Sequence, residues 1–176
     1  YVANVHSFHL LARFLRYDRR VIPGAYQLRA NMSNWEAIRL LRAGIQHPVK
    51  LVLHHISTKA ELADKITRNL EMSPEDFSRL LNDPAFVGQY GLSTENVMTM
   101  FIPNTYEVYW TTTPEALFVR MYREHQRFWH ADRLRLAQRL QMTPQEVTIL
   151  ASIVQNEAFR REEAPIIAGV FINRLK

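Results

Sequence analysis

The sequence predicts an α+β fold: a small unit mixing helix and strand, followed by a helix-rich portion. Three observations predict it. Helix-start signals recur along the chain, as Ser/Thr caps followed by proline or by an acid three residues on. A few short β-prone segments interrupt them, chiefly Val49–His54 and Phe101–Trp110. The 176 residues are 47% hydrophobic and 22% charged, the balance of a chain that folds around a core.

The elements follow in order. In residues 4–17, Val5, Phe8, Leu11, Ala12 and Leu15 recur at helical spacing. Pro23-Gly24 signals a turn, and Ala25–Leu28 reads as a short strand. Ser33 with Glu36 caps a helix that Gly44 stops. In Val49–His54, residues Val49, Leu51 and Leu53 alternate with Lys50, Val52 and His54. The first fifty-odd residues thus predict helix, strand, helix, strand. Thr58 with Glu61 opens a helix to about Leu70, and Ser73-Pro74 opens the next. Asp83–Ser93 is loop-rich with room for a short helix. Phe101–Trp110 is a turn followed by an aromatic strand. Thr113-Pro114 starts a long helix carrying Leu117, Met121, Phe128 and Trp129. Helices from Asp132 to Gln141, from Thr143 and from Ile166 to Lys176 complete the chain.

Several chemistries find no support. There is no cysteine, which excludes disulfides and thiolate catalysis. His54-His55, neighbours in a predicted strand, point to opposite faces, and no His-Glu-x-x-His spacing exists, so no metal site is expected. Glycine-rich phosphate loops and G-x-S-x-G elbows are absent. The four lysines Lys50, Lys59, Lys65 and Lys176 give little basis for Schiff-base chemistry, and no cofactor is expected. The net charge is +5, carried by 18 Arg against 4 Lys. Arg120, Arg123, Arg127, Arg133, Arg135 and Arg139 cluster without a nucleic-acid motif, and Glu124 and Asp132 interrupt them. They read as a solvated face rather than a nucleic-acid interface.

The residue most suggestive of chemistry is Glu157. Thr143, Pro144 and Glu146 set the helix register, so that Val147, Leu150, Ile153 and Val154 share a face. Glu157 falls about 20° from Leu150, near the middle of that apolar face. A carboxyl held there would be desolvated, and desolvation favours the neutral, proton-donating form. The alternative is that Glu157 ends a core helix or pairs with Arg160 or Arg161. The segment Phe101–Trp110 combines aromatic and polar side chains of the kind that bind sugars, although aromatic strands also serve cores. Asn173 flanks the stripe of the last helix, where polar groups line clefts or snorkel.

Ile149–Ala158 followed by Ala168-Gly169-Val170-Phe171-Ile172-Asn173-Arg174-Leu175 resembles the YceG-like endolytic murein transglycosylases, the MltG family. Phe101-Ile102-Pro103-Asn104-Thr105-Tyr106 is similar to that family's Phe-Pro-x-Thr-Tyr segment, with Ile102 inserted. Pro23–Tyr26 and Met32–Gly44 resemble its LysM-like subdomain. The resemblance implies a LysM-like subdomain over residues 1–56 and the N-terminal part of a catalytic domain over 57–176. The chain is expected to be a fragment, with the family's membrane helix and first strand before it and further catalytic segments after it.

The resemblance further implies an inner-membrane protein facing the periplasm or cell wall. Its substrate would be the peptidoglycan glycan strand, cut at MurNAc–GlcNAc β-1,4 bonds to leave 1,6-anhydro ends, and cell-wall synthases would be partners. Glu157 corresponds to the family's catalytic glutamate. Gln155 stands where many members carry a second glutamate, and Glu163 matches an acidic position with a supporting role. Asn104, Thr105, Tyr106 and Asn173 are the expected sugar contacts. Two other readings compete. One is a peptidoglycan-binding module without activity. The other is a pyridoxal-phosphate lyase of folate synthesis, which the poorly placed lysines disfavour.

Overall fold

The computed structural model describes residues 5–175. The chain forms two compact units, one of residues up to Ser78 with Pro103–Leu117, the other of Arg79–Ile102 with the residues from Phe118 onward. Residue 57, the expected boundary, lies inside the first unit.

In the first unit, α1 (Val5–Phe14) packs against α2 (Asn34–Ala43). A 3-10 turn, Tyr17–Arg19, follows α1. Ser33 and Glu36 form a reciprocal capping box at the start of α2. Gly44 ends it in the left-handed conformation, φ 65°, where its N–H reaches the last carbonyls. Strand β1 (Val49–Leu53) leads to α3 (Lys59–Thr67), which Thr58 and Glu61 cap in the same way. The next helix, α4 (Pro74–Leu81), starts in this unit, and its residues from Arg79 belong to the second.

The sheet corrects one expectation. Residues Ala25–Leu28 form no strand; one bond, from the His47 N–H to the Ala25 carbonyl at 2.8 Å, is the backbone link there among the described residues. A single bond does not make a ladder. β1 instead pairs antiparallel with β2 (Asn104–Val108), in the register Val49↔Val108, Leu51↔Tyr106 and Leu53↔Asn104. Period-two alternation then puts Leu51, Leu53, Tyr106 and Val108 in the core and Lys50 and Val52 outside. His54 and His55 lie past the strand end, where Lys65 Nζ donates to both their carbonyls, at 2.6 and 3.2 Å.

The second unit contains α5 (Pro84–Gly88), a 3-10 turn at Val97–Met100, most of α6 (Pro114–Phe128), α7 (Ala131–Arg139), α8 (Pro144–Glu157) and α9 (Ala164–Arg174). Its core is aromatic. Phe118 is fully buried, with the rings of Phe86 and Tyr90 at 4.9 and 5.0 Å from its own. These tilted and edge-on arrangements are the favoured ones for aromatic pairs. His125 on α6 and Trp129, which directly follows that helix, are buried, and among the described residues His125 Nε2 and Trp129 Nε1 have no hydrogen-bond partner. Burial holds the His125 pKa below the usual histidine value.

Candidate functional site

The candidate site is built on α8 and α9, which pack against each other. Thr143 starts α8. Its backbone N–H and hydroxyl both donate to Glu146 Oε2, at 2.7 and 2.9 Å, and its Oγ1 accepts from the Glu146 N–H at 3.2 Å. The backbone bond first, then the side-chain bond, holds the Glu146 carboxyl below its ordinary pKa. The register predicted for α8 is therefore the register observed, and Glu157 is its last residue.

The surroundings of Glu157 differ from expectation. Its side chain is exposed, not desolvated on an apolar face. The physical reason lies in what covers α8. Only Leu150 and Val154, one turn apart, are buried, while Ile149 and Ile153, both on one side of that pair, are open to solvent. Beyond Val154 the helix has one more turn, and Ala158 leaves it in an extended conformation. Among the described residues, Glu157 has neither a hydrogen bond nor an ion pair, so the alternative of a lock to Arg160 or Arg161 is not observed either.

The connection after Glu157 is held by Glu163. Its Oε2 accepts from the backbone N–H groups of Phe159 and Arg160, at 3.2 and 3.1 Å. Glu163 itself begins α9 without a side-chain bond to that helix. A half-buried carboxylate spent on two backbone donors shapes the turn that carries the end of α8. In the sequence Glu163 stood out through the family resemblance, as an acidic position with a supporting role; which amides the acid would take was not legible.

The other predicted residues fall into two groups. Asn173 is exposed, about 14 Å along α9 from its start, while Glu157 adjoins the connection. Asn104, Thr105 and Tyr106 lie together on β2, in the first unit. Asn104 and Thr105 are exposed, and Asn104 Oδ1 accepts from the Thr105 N–H at 2.8 Å. Tyr106 is buried opposite Leu51, so its ring serves the core and offers no open face to a sugar. The arginines of α6 and α7 are partly engaged locally. Arg127 pairs with Glu124, Arg135 with Asp132, and Arg133 stacks on Phe128 at 3.8 Å. Among the described residues, no group of three His, Asp or Glu could hold a metal ion, and no helix is long and apolar enough to cross a membrane.

The model of the YceG-like family matches residues 1–176. The chain belongs to that family. Its fold is similar to the 2.6 Å crystal structure of a protein from Listeria monocytogenes described as yceG-like, with a TM-score of 0.65 and 23% sequence identity. The similarity covers 98% of this chain and 62% of the Listeria chain, so this YceG-like chain spans less than two thirds of its structural relative. At that identity the likeness speaks for the fold. No curated protein sequence matches the chain.

Proposed function

We propose that this YceG-like protein is a lytic transglycosylase of peptidoglycan glycan strands, with Glu157 as its acid and base. The observation that carries the proposal is a carboxyl with no hydrogen bond or ion pair among the described residues, at the fixed end of a capped helix, in a chain of this family. An unpaired carboxyl is free to exchange a proton with a ligand.

In the proposed reaction Glu157 gives its proton to the glycosidic oxygen as the bond from the muramic acid anomeric carbon to that oxygen breaks. The resulting carboxylate takes the proton of the same sugar's 6-hydroxyl, whose oxygen bonds to the anomeric carbon. The products are a 1,6-anhydro end and a new free hydroxyl, and no water is consumed. One carboxyl serves both steps, whereas the usual glycoside hydrolases use two at set separations. Because Glu157 is exposed here, the desolvation that favours its protonated form would have to come from the bound glycan itself. Asn173, on the helix packed against α8, is the proposed polar contact. A place at the envelope beside cell-wall synthases belongs to the same proposal.

Glu157→Gln keeps the shape and removes the proton. The expected result is a loss of roughly 10²–10⁴ in the rate of anhydro-end formation, followed by mass spectrometry of glycan digests. An undiminished rate would remove Glu157 from the mechanism. The exposure of Glu157 also favours a second reading, a module that binds peptidoglycan without cutting it. Retention on purified sacculi with no anhydro product from the unmodified protein is the signature of that reading.

A further inference from the structure

The charge of this chain is unevenly placed. Residues 5–30 hold five arginines, Arg13, Arg16, Arg19, Arg20 and Arg29, against one aspartate, Asp18, a formal +4 of the +5 carried by all 176 residues. None of these arginines has an ion pair among the described residues. Helix α1 holds no acid at all.

Its geometry is equally one-sided. Phe8, Leu11 and Ala12 occupy an arc of about 100° that is covered. At the edge of that arc, Ser7 accepts a hydrogen bond from Asn34 of α2 at 2.8 Å. Opposite lie His6, Arg13 and Leu10, with Phe14 next to Leu10 one turn on. Leu10 is 72% exposed and Phe14 80%. Two large apolar groups in water beside unpaired arginines are an unfavourable surface for a solvated face. They suit a boundary where apolar groups enter hydrocarbon and guanidinium groups meet phosphate.

We propose that the outer side of α1, with the arginines that follow it, docks on an anionic lipid bilayer. A soluble polyanion would satisfy the arginines but leave Leu10 and Phe14 in water, and a neutral bilayer would do the reverse. An anionic bilayer satisfies both. This surface is independent of Glu157 and of glycan cleavage.

The test is co-sedimentation of the chain with vesicles of phosphatidylcholine alone and of phosphatidylcholine with phosphatidylglycerol. Binding is expected to the anionic vesicles, with roughly ten-fold weaker binding to the neutral ones. The double variant Leu10→Ser, Phe14→Ser and, separately, Arg13→Gln, Arg20→Gln are each expected to lower binding about ten-fold. Leu136→Ser, at an apolar position of α7 that is 57% exposed, is the control and is expected to change nothing. All four arginine and apolar positions are exposed, and circular dichroism checks that the variants keep their helices. Equal binding to both vesicles, an equal loss in the Leu136 control, or full binding by the Leu10, Phe14 variant overturns the proposal. Capture by soluble dextran sulfate that survives the Leu10, Phe14 change, without vesicle binding, reassigns the surface to a polyanion and overturns it as well.

Discussion

Helices α6 and α8 begin alike and are covered very differently. Each starts at a Thr-Pro pair whose threonine hydroxyl accepts a backbone N–H, at 3.2 Å in both. Each carries an apolar stripe at helical spacing. On α6 the stripe is covered: Leu117 and Phe118 are fully buried, Met121 and His125 follow them inward, and so does Trp129 just past the helix end. On α8 only Leu150 and Val154 are buried, and Ile153 remains 39% exposed. Its neighbour α9 buries no residue among those described. An apolar stripe therefore says which side of a helix seeks contact. It does not say how much contact that side receives.

This contrast sets the expected size of substitutions. The largest effect falls on α6. Phe118→Ala empties a fully buried position between aromatic rings and should cost about 3–5 kcal/mol in urea unfolding. A cost below about 1 kcal/mol would mean that the aromatic cluster is no better packed than α8. Next comes the shared device, the cap. Thr143→Ala leaves the Glu146 N–H without its acceptor and should cost about 1 kcal/mol, read as a shift of the unfolding midpoint.

A shallower effect comes from pH, again on α6. Burial lowers the His125 pKa in the folded state, so the unfolded chain takes up that proton first as pH falls. The neutral His125 contributes its stability above the unfolded value near 6.5, and that contribution drains away as pH drops from there toward the lower folded value. Unfolding midpoints measured from about pH 7.5 to 5.5 should fall. His125→Leu should flatten that part of the profile, and an unchanged slope would assign it to other groups. The smallest effect belongs to α8. Ile153→Ser should cost less than about 1 kcal/mol, because 39% of the residue is already in water. A loss near 2 kcal/mol would mean that the outer face of α8 is covered in solution.

The same contrast explains what was legible in the residues. The starts of α2, α3 and α8 were readable because a capping box uses partners three residues apart. The inward side of β1 was readable from its alternation. Its partner was not, since β2 lies some fifty residues away and Ala25–Leu28 stood nearer in sequence. The role of Tyr106 followed from that register: opposite Leu51 an aromatic becomes core, whatever its capacity to stack on a sugar. For Glu157 the wheel placed the residue correctly at the end of α8 and misjudged its surroundings, because among the described residues no element covers the last turn.

The chain by itself determined where its helices begin, how they are capped, which side of each is apolar, and the family to which its motifs point. These depend on hydrogen bonds and steric preferences within about one turn, which neighbouring residues settle among themselves. Only the tertiary structure decided that β1 pairs with β2, that Tyr106 is core, that Glu163 clasps the turn after Glu157, and that Glu157 stands in solvent. Those outcomes depend on what a distant segment places against a surface, and periodicity carries no record of that.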